Sequence, residues 1–128
     1  ALAPFIPSTS EAVLVTALRL LYNLSFDAKC REAILGGDLL NRLIACLRKR
    51  MQLPLVLRVL YNLSCDDKAR KAMCKADHVG VALRKQVISC EDHMLPPELA
   101  ALAINIATVE AGAEAMCSDQ VMRHYLER

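Results

Sequence analysis

The sequence predicts an all-α fold, a solenoid built from helical units of about 40 residues. Three observations carry this. The phrase Leu18-Arg19-Leu20-Leu21-Tyr22-Asn23-Leu24-Ser25-Phe26-Asp27 returns 39 residues later as Leu57-Arg58-Val59-Leu60-Tyr61-Asn62-Leu63-Ser64-Cys65-Asp66. A weaker third copy, Ala100-Ala101-Leu102-Ala103-Ile104-Asn105-Ile106-Ala107, follows after another 43. Within each copy the apolar residues recur mostly at spacings of three and four, the period of one helix face. Finally, apolar residues make up 55 % of the chain but aromatic ones only 4 %. Small and aliphatic side chains at that level suit close helix stacking.

Each copy of the phrase closes a long amphipathic helix. The first is predicted over 10–25, with Ser10 as its cap and Glu11 in its first turn. Leu14, Ala17, Leu18, Leu21 and Leu24 mark its apolar face. A short helix over 28–35 follows, with Asp27 as N-cap and Gly36-Gly37 as its terminator. A helix over 39–49 comes next, and 50–53 is read as a loop. The second long helix covers 54–64, with Pro54 at N1. Val56, Leu57, Leu60 and Leu63 fill the slots of Ala17, Leu18, Leu21 and Leu24. Helices over 67–75, behind Asp66, and over 78–89 continue the pattern. After the loop 90–96 and the Pro96-Pro97 break, the third long helix spans 97–107. A short helix over 111–117 and another from 121 onward complete the chain. Ala33-Ile34-Leu35, Ala72-Met73-Cys74 and Ala115-Met116-Cys117 align in register.

A short helix, a middle helix and a long helix in about 40 residues is the armadillo pattern, not the 34-residue two-helix tetratricopeptide pattern. The expected architecture is an armadillo-type right-handed superhelix of about three repeats. In that register 1–9 ends a preceding repeat and 10–25 is a closing helix. Segments 27–64 and 66–107 are repeats, and 109–128 is a truncated one. The chain starts without Met and stops inside a helical pattern, so it reads as a piece of a longer solenoid. Solenoids of this type are mostly binding surfaces.

A formal charge of +2 is too small to argue for nucleic acid or an anionic membrane. No apolar run approaches a membrane span, and the first ten residues lack the basic n-region of a signal peptide. The six cysteines form no C-x-x-C pair; Cys65 aligns with Phe26 and Cys74 with Leu35. They read as reduced, small core residues of a cytosolic protein. Asn23-Leu24-Ser25 and Asn62-Leu63-Ser64 fit the N-glycosylation pattern, but both fall inside predicted helix, so a chance match is the better reading.

The phrase at 18–27 resembles the kinesin-associated protein family, the armadillo accessory subunits of heterotrimeric kinesin-2. The resemblance continues through Val59-Leu60-Tyr61, Ser64-Cys65-Asp66-Asp67 and Ala103-Ile104-Asn105-Ile106-Ala107. Upstream, Leu2-Ala3-Pro4-Phe5-Ile6-Pro7 resembles the end of a preceding repeat's middle helix. It implies a non-enzymatic adaptor in a hetero-oligomer that binds motor subunits and cargo adaptors. The implied setting is cytoplasmic and cytoskeletal, with microtubule-based transport in cilia and flagella. The alternative is an unrelated cytosolic armadillo adaptor, catenin-like or importin-like.

Armadillo proteins in general place an Asn near the end of the long helix, facing the concave groove. Asn23, Asn62 and Asn105 occupy that position. An amide offers two donors and an acceptor, which suits the backbone of an extended partner. The competing role is a bridge between neighbouring helices. Arg19 and Arg58 lie one turn before their Asn on the same face. Better-known peptide-binding armadillo proteins often carry Trp in this slot; here it is Arg, Arg and Ala101. A cationic pair favours acidic partners over an importin-like lysine-binding mode. Arg19, Asn23, Arg58, Asn62 and Asn105 are therefore the expected partner-binding groove. Tyr22 and Tyr61 are expected to pack at a junction with the hydroxyl on a polar partner. Arg48-Lys49-Arg50 and Lys68, Arg70 and Lys71 read as solvated basic faces.

No catalytic residue, metal or cofactor is expected. There is no Gly-rich phosphate loop, and His78, His93 and His124 fall in different segments. Cys90-Glu91-Asp92-His93 offers two metal ligands with no second pair at zinc spacing.

Overall fold

The computed structural model describes residue 6 and residues 10–36, 38–75, 79–89 and 95–109. The described residues form seven helices and no strand: α1 (Glu11–Leu24), α2 (Ala28–Gly36), α3 (Leu39–Arg48), α4 (Leu53–Ser64), α5 (Asp67–Lys75), α6 (Val79–Ser89) and α7 (Pro97–Ala107). Helices at matching sequence positions pack on one another: α1 on α4, α4 on α7, α2 on α5 and α3 on α6. That arrangement is compatible with an α-solenoid. The segments expected as helices over 111–117 and from 121 lie outside the described residues, as do Cys90, Cys117 and the three histidines.

The local signals that start the helices are visible in the backbone contacts. Ser10 is extended, and its Oγ accepts from Val13 N–H at 3.4 Å, so it caps α1 as its residue type favours. Asp27 Oδ2 accepts from Cys30 N–H at 3.0 Å at the head of α2. Asp66 Oδ1 takes the Lys68 N–H at 3.1 Å at the head of α5. Several bounds shift by a residue, α3 ending at Arg48 rather than Lys49 among them. Gly36 is still helical, so α2 runs one residue past its expected end at Leu35, into the first glycine of the expected terminator. Helix α4 begins at Leu53, which places Pro54 at N2. The reason lies just upstream: Arg50 (φ 56°) and Gln52 (φ 47°) are both left-handed, turning the chain sharply enough to start the helix early. Neither is glycine, so the sequence carried no sign of this turn.

The core lies between the stacked helices. Leu14, Ala17, Leu18 and Leu21 of α1 are buried, as are Val56, Leu57, Val59, Leu60 and Leu63 of α4 and Leu99, Leu102 and Ile106 of α7. Leu24 and Ala103 are only half-buried at their ends of the stack. From the second layer come Ile34, Leu43, Ile44, Leu47, Met73, Leu83 and Val87. Ile6 is fully buried, and Arg42 Nη1 donates to its carbonyl at 3.2 Å, tying this residue to α3.

Candidate functional site

The five expected groove residues occupy matching positions of α1, α4 and α7, three of them exposed and two half-buried. Arg19 and Asn23 stand one turn apart on α1, both exposed. Arg58 is exposed and Asn62 half-buried on α4; Ala101 and Asn105 are half-buried on α7. Among the described residues, Arg19, Arg58 and Asn23 make no side-chain hydrogen bond or ion pair. Two exposed guanidinium groups thus stand at matching positions of adjacent helices, with no side-chain partner among the described residues.

The asparagines divide. Asn62 Nδ2 donates to Ser25 Oγ at 3.0 Å, and Asn105 Nδ2 donates to Ser64 Oγ at 3.0 Å. Each amide therefore bridges to the preceding long helix while keeping its carbonyl and one further N–H. The serines are almost completely buried, 1 % and 0 % exposed, so their hydroxyls need these partners. Each also donates to the carbonyl three residues back, Ser25 to Tyr22 and Ser64 to Tyr61, both at 2.6 Å. An arginine completes each cluster: Arg31 Nη1 donates to Ser25 O at 3.0 Å and Arg70 Nη1 to Ser64 O at 2.9 Å. These carbonyls follow the last helical turn, where intrahelical donors run out.

Sequence reasoning reached the asparagines but not Ser25, Ser64, Arg31 and Arg70. The signal was present, since each pair sits at the same offset of 39. The two glycosylation-like tripeptides also gain a physical account, because their serines are buried junction residues.

The clusters are not identical. Arg31 Nε lies 3.7 Å from Asp66 Oδ2, a link from α2 to the head of α5. Arg70 instead pairs with Asp67 of its own helix. At the other end of the α1–α4 contact, Gln52 Nε2 donates to Glu11 Oε1 at 2.7 Å. Between α3 and α6, Gln86 Nε2 donates to Leu47 O at 2.9 Å.

Tyr22 packs on the core with its ring edge-to-face on Phe26, centroids 5.2 Å apart at 76°. Among the described residues neither Tyr22 nor Tyr61 has a hydroxyl hydrogen bond, so the expected polar partner is not seen. Phe26 is 64 % exposed. The Asp27 carboxyl beside it is held below the usual carboxylate range, chiefly by the Cys30 N–H. The Cys30 thiol is raised by that same carboxylate, and the Cys46 thiol by burial. Among the described residues Cys30, Cys46, Cys65 and Cys74 are free thiols, and no three metal-ligating side chains gather. No described helix is long and apolar enough to cross a membrane.

The stripe offers cations, amides with free hydrogen-bonding capacity, a ring at Phe26 and a thiol at Cys65, a set suited to non-covalent contact with a polar chain. Neither the curated proteins nor the solved structures give a significant match. The profile of the kinesin-associated protein family matches residues 1–128, the whole sequence. The chain belongs to the kinesin-associated protein family.

Proposed function

We propose that this chain is part of an adaptor that joins kinesin-2 motor subunits to cargo for microtubule-based transport, including transport in cilia and flagella. The family match over the whole chain is the observation that carries the reading. In this reading the protein does no chemistry. It works as one member of a hetero-oligomer in the cytoplasm, along the cytoskeleton and in the cilium. Armadillo repeats with boundaries near 27–64 and 66–107 supply the scaffold. Their exposed stripe is the partner groove: Arg19 and Arg58 attract acids, and the free faces of Asn23, Asn62 and Asn105 hold the partner's backbone.

The test is co-immunoprecipitation of the full-length protein from a ciliated cell. Recovery of kinesin-2 motor subunits is expected. Recovery of cadherin tails or nuclear-import cargo, with no motor subunit, would sink the proposal.

A further inference from the structure

Each position of the phrase occurs on three stacked helices, so the molecule contains its own control for exposure. Leu20 of α1 is 44 % exposed, whereas Val59 and Leu102 at the same position of α4 and α7 are 0 % exposed. That position is a stacking face on α4 and α7, where the preceding long helix packs against it. The positions of Arg19 and Phe26 behave differently. On α4, which has neighbours on both sides, Arg58 is still exposed, and so is Cys65 just past its end. Thr108, just past the end of α7, is exposed as well. The exposure of Phe26 is therefore a property of the stripe and not of the end of the stack.

The stripe is also graded. Only α1 carries a ring pair, Tyr22 against Phe26. The matching pairs are Tyr61 with Cys65 and Ile104 with Thr108. Cations stand at the first two positions and Ala101 at the third. Asp27, the acid nearest the ring in sequence, is engaged at the head of α2. It does not neutralise Arg19.

We propose that Tyr22 and Phe26 form an apolar anchor site beside Arg19, and that this site with Arg58 selects an extended acidic peptide bearing one large apolar side chain. The inference rests on the groove reading above. Charge complementarity fixes the peptide's acids, and the exposed Phe26 ring fixes the place of its apolar side chain, since Ile104, 66 % exposed at the Tyr22 position of α7, has Ala101 and no cation one turn back. Packed helices stand about 8–10 Å apart, and an extended chain rises about 3.3 Å per residue. The two acids are then two or three residues apart. Burying one apolar side chain on Phe26 supplies affinity that the screened cations alone do not.

Fluorescence anisotropy with three labelled decapeptides tests this. On a Gly-Ser background, the first holds two aspartates three apart with a leucine beside one. The second has serine for the leucine, and the third has lysines for the aspartates. The first should bind about fivefold or more tighter than the second, and the third should not bind. Phe26→Ser should erase the preference for leucine, whereas Val13→Ser, another exposed apolar position on α1, should keep it. Circular dichroism checks that both variants fold. If Phe26→Ser keeps the preference while Arg19→Glu with Arg58→Glu weakens both acidic probes, the anchor is wrong and the groove stands. If the charge reversals weaken neither acidic probe, or no probe binds at all, the groove and the anchor both fall.

Discussion

The Ser25 hydroxyl satisfies two needs at one buried point. It donates to its own helix at Tyr22 O and accepts from Asn62 on the next helix. Removing it with Ser25→Ala deprives a half-buried amide of its acceptor. The expected cost is about 1 kcal/mol, the net worth of an ordinary hydrogen bond. A double-mutant cycle with Asn62→Ala, read by urea unfolding, should give a coupling of about 0.5 kcal/mol or more. A coupling of zero would mean that the two side chains touch without stabilising the junction. Asp27 makes a second residue-scale prediction. Its folded pKa is depressed, so its contribution is fully present above its unfolded value and is lost as pH falls through the folded one. Below about pH 4 the wild type should lose stability that Asp27→Asn, which keeps an acceptor without a charge, does not lose. Parallel acid limbs for the two proteins in thermal unfolding would refute this.

At the scale of helices, α4 is the element to test, because it packs against both α1 and α7. Leu60 is completely buried at its centre. Leu60→Ala should cost about 2–5 kcal/mol. Leu20→Ala, at a partly open position of α1, should cost a fraction of that. Equal losses in chemical denaturation would reject the stacking order. Helix positions were legible in the sequence because periodicity, Ser and Asp caps and the Pro96-Pro97 break all act locally. The serine partner of each bridging asparagine was not, because Ser25 and Asn62 are 37 positions apart, and only the stacked helices bring them together. The early start of α4 was hidden for another reason. Arg50 and Gln52 take left-handed conformations with no glycine to announce them. The stripe was half legible: repeat equivalence gave its arginines and asparagines. The importance of Phe26 emerged only from comparing exposure at equal positions.

For the whole molecule, the proposed groove makes Arg19 and Arg58 the groups that steer a partner's approach. Replacing both, Arg19→Glu with Arg58→Glu, should weaken binding to an acidic natural partner and leave helix content unchanged. The variant should also lose less affinity with added salt than the wild type, because the screened attraction is gone. Titration at two ionic strengths measures both effects. Binding as tight as wild type at low salt would reduce the pair to a solvated face.

The two amide–hydroxyl rungs run from each long helix to the next, and this has a mechanical side. A pull along the stack passes through Ser25–Asn62 and then through Ser64–Asn105, so the junctions carry the same force one after the other. In such a series the softest junction stretches first. The α1–α4 side has reinforcement: the Glu11–Gln52 bond and the Arg31–Asp66 pair cross it. Beside the α4–α7 junction, Arg70 pairs within its own helix instead. Losing either rung, by Ser25→Ala or Ser64→Ala, would make its junction the soft one and so set where the stack yields.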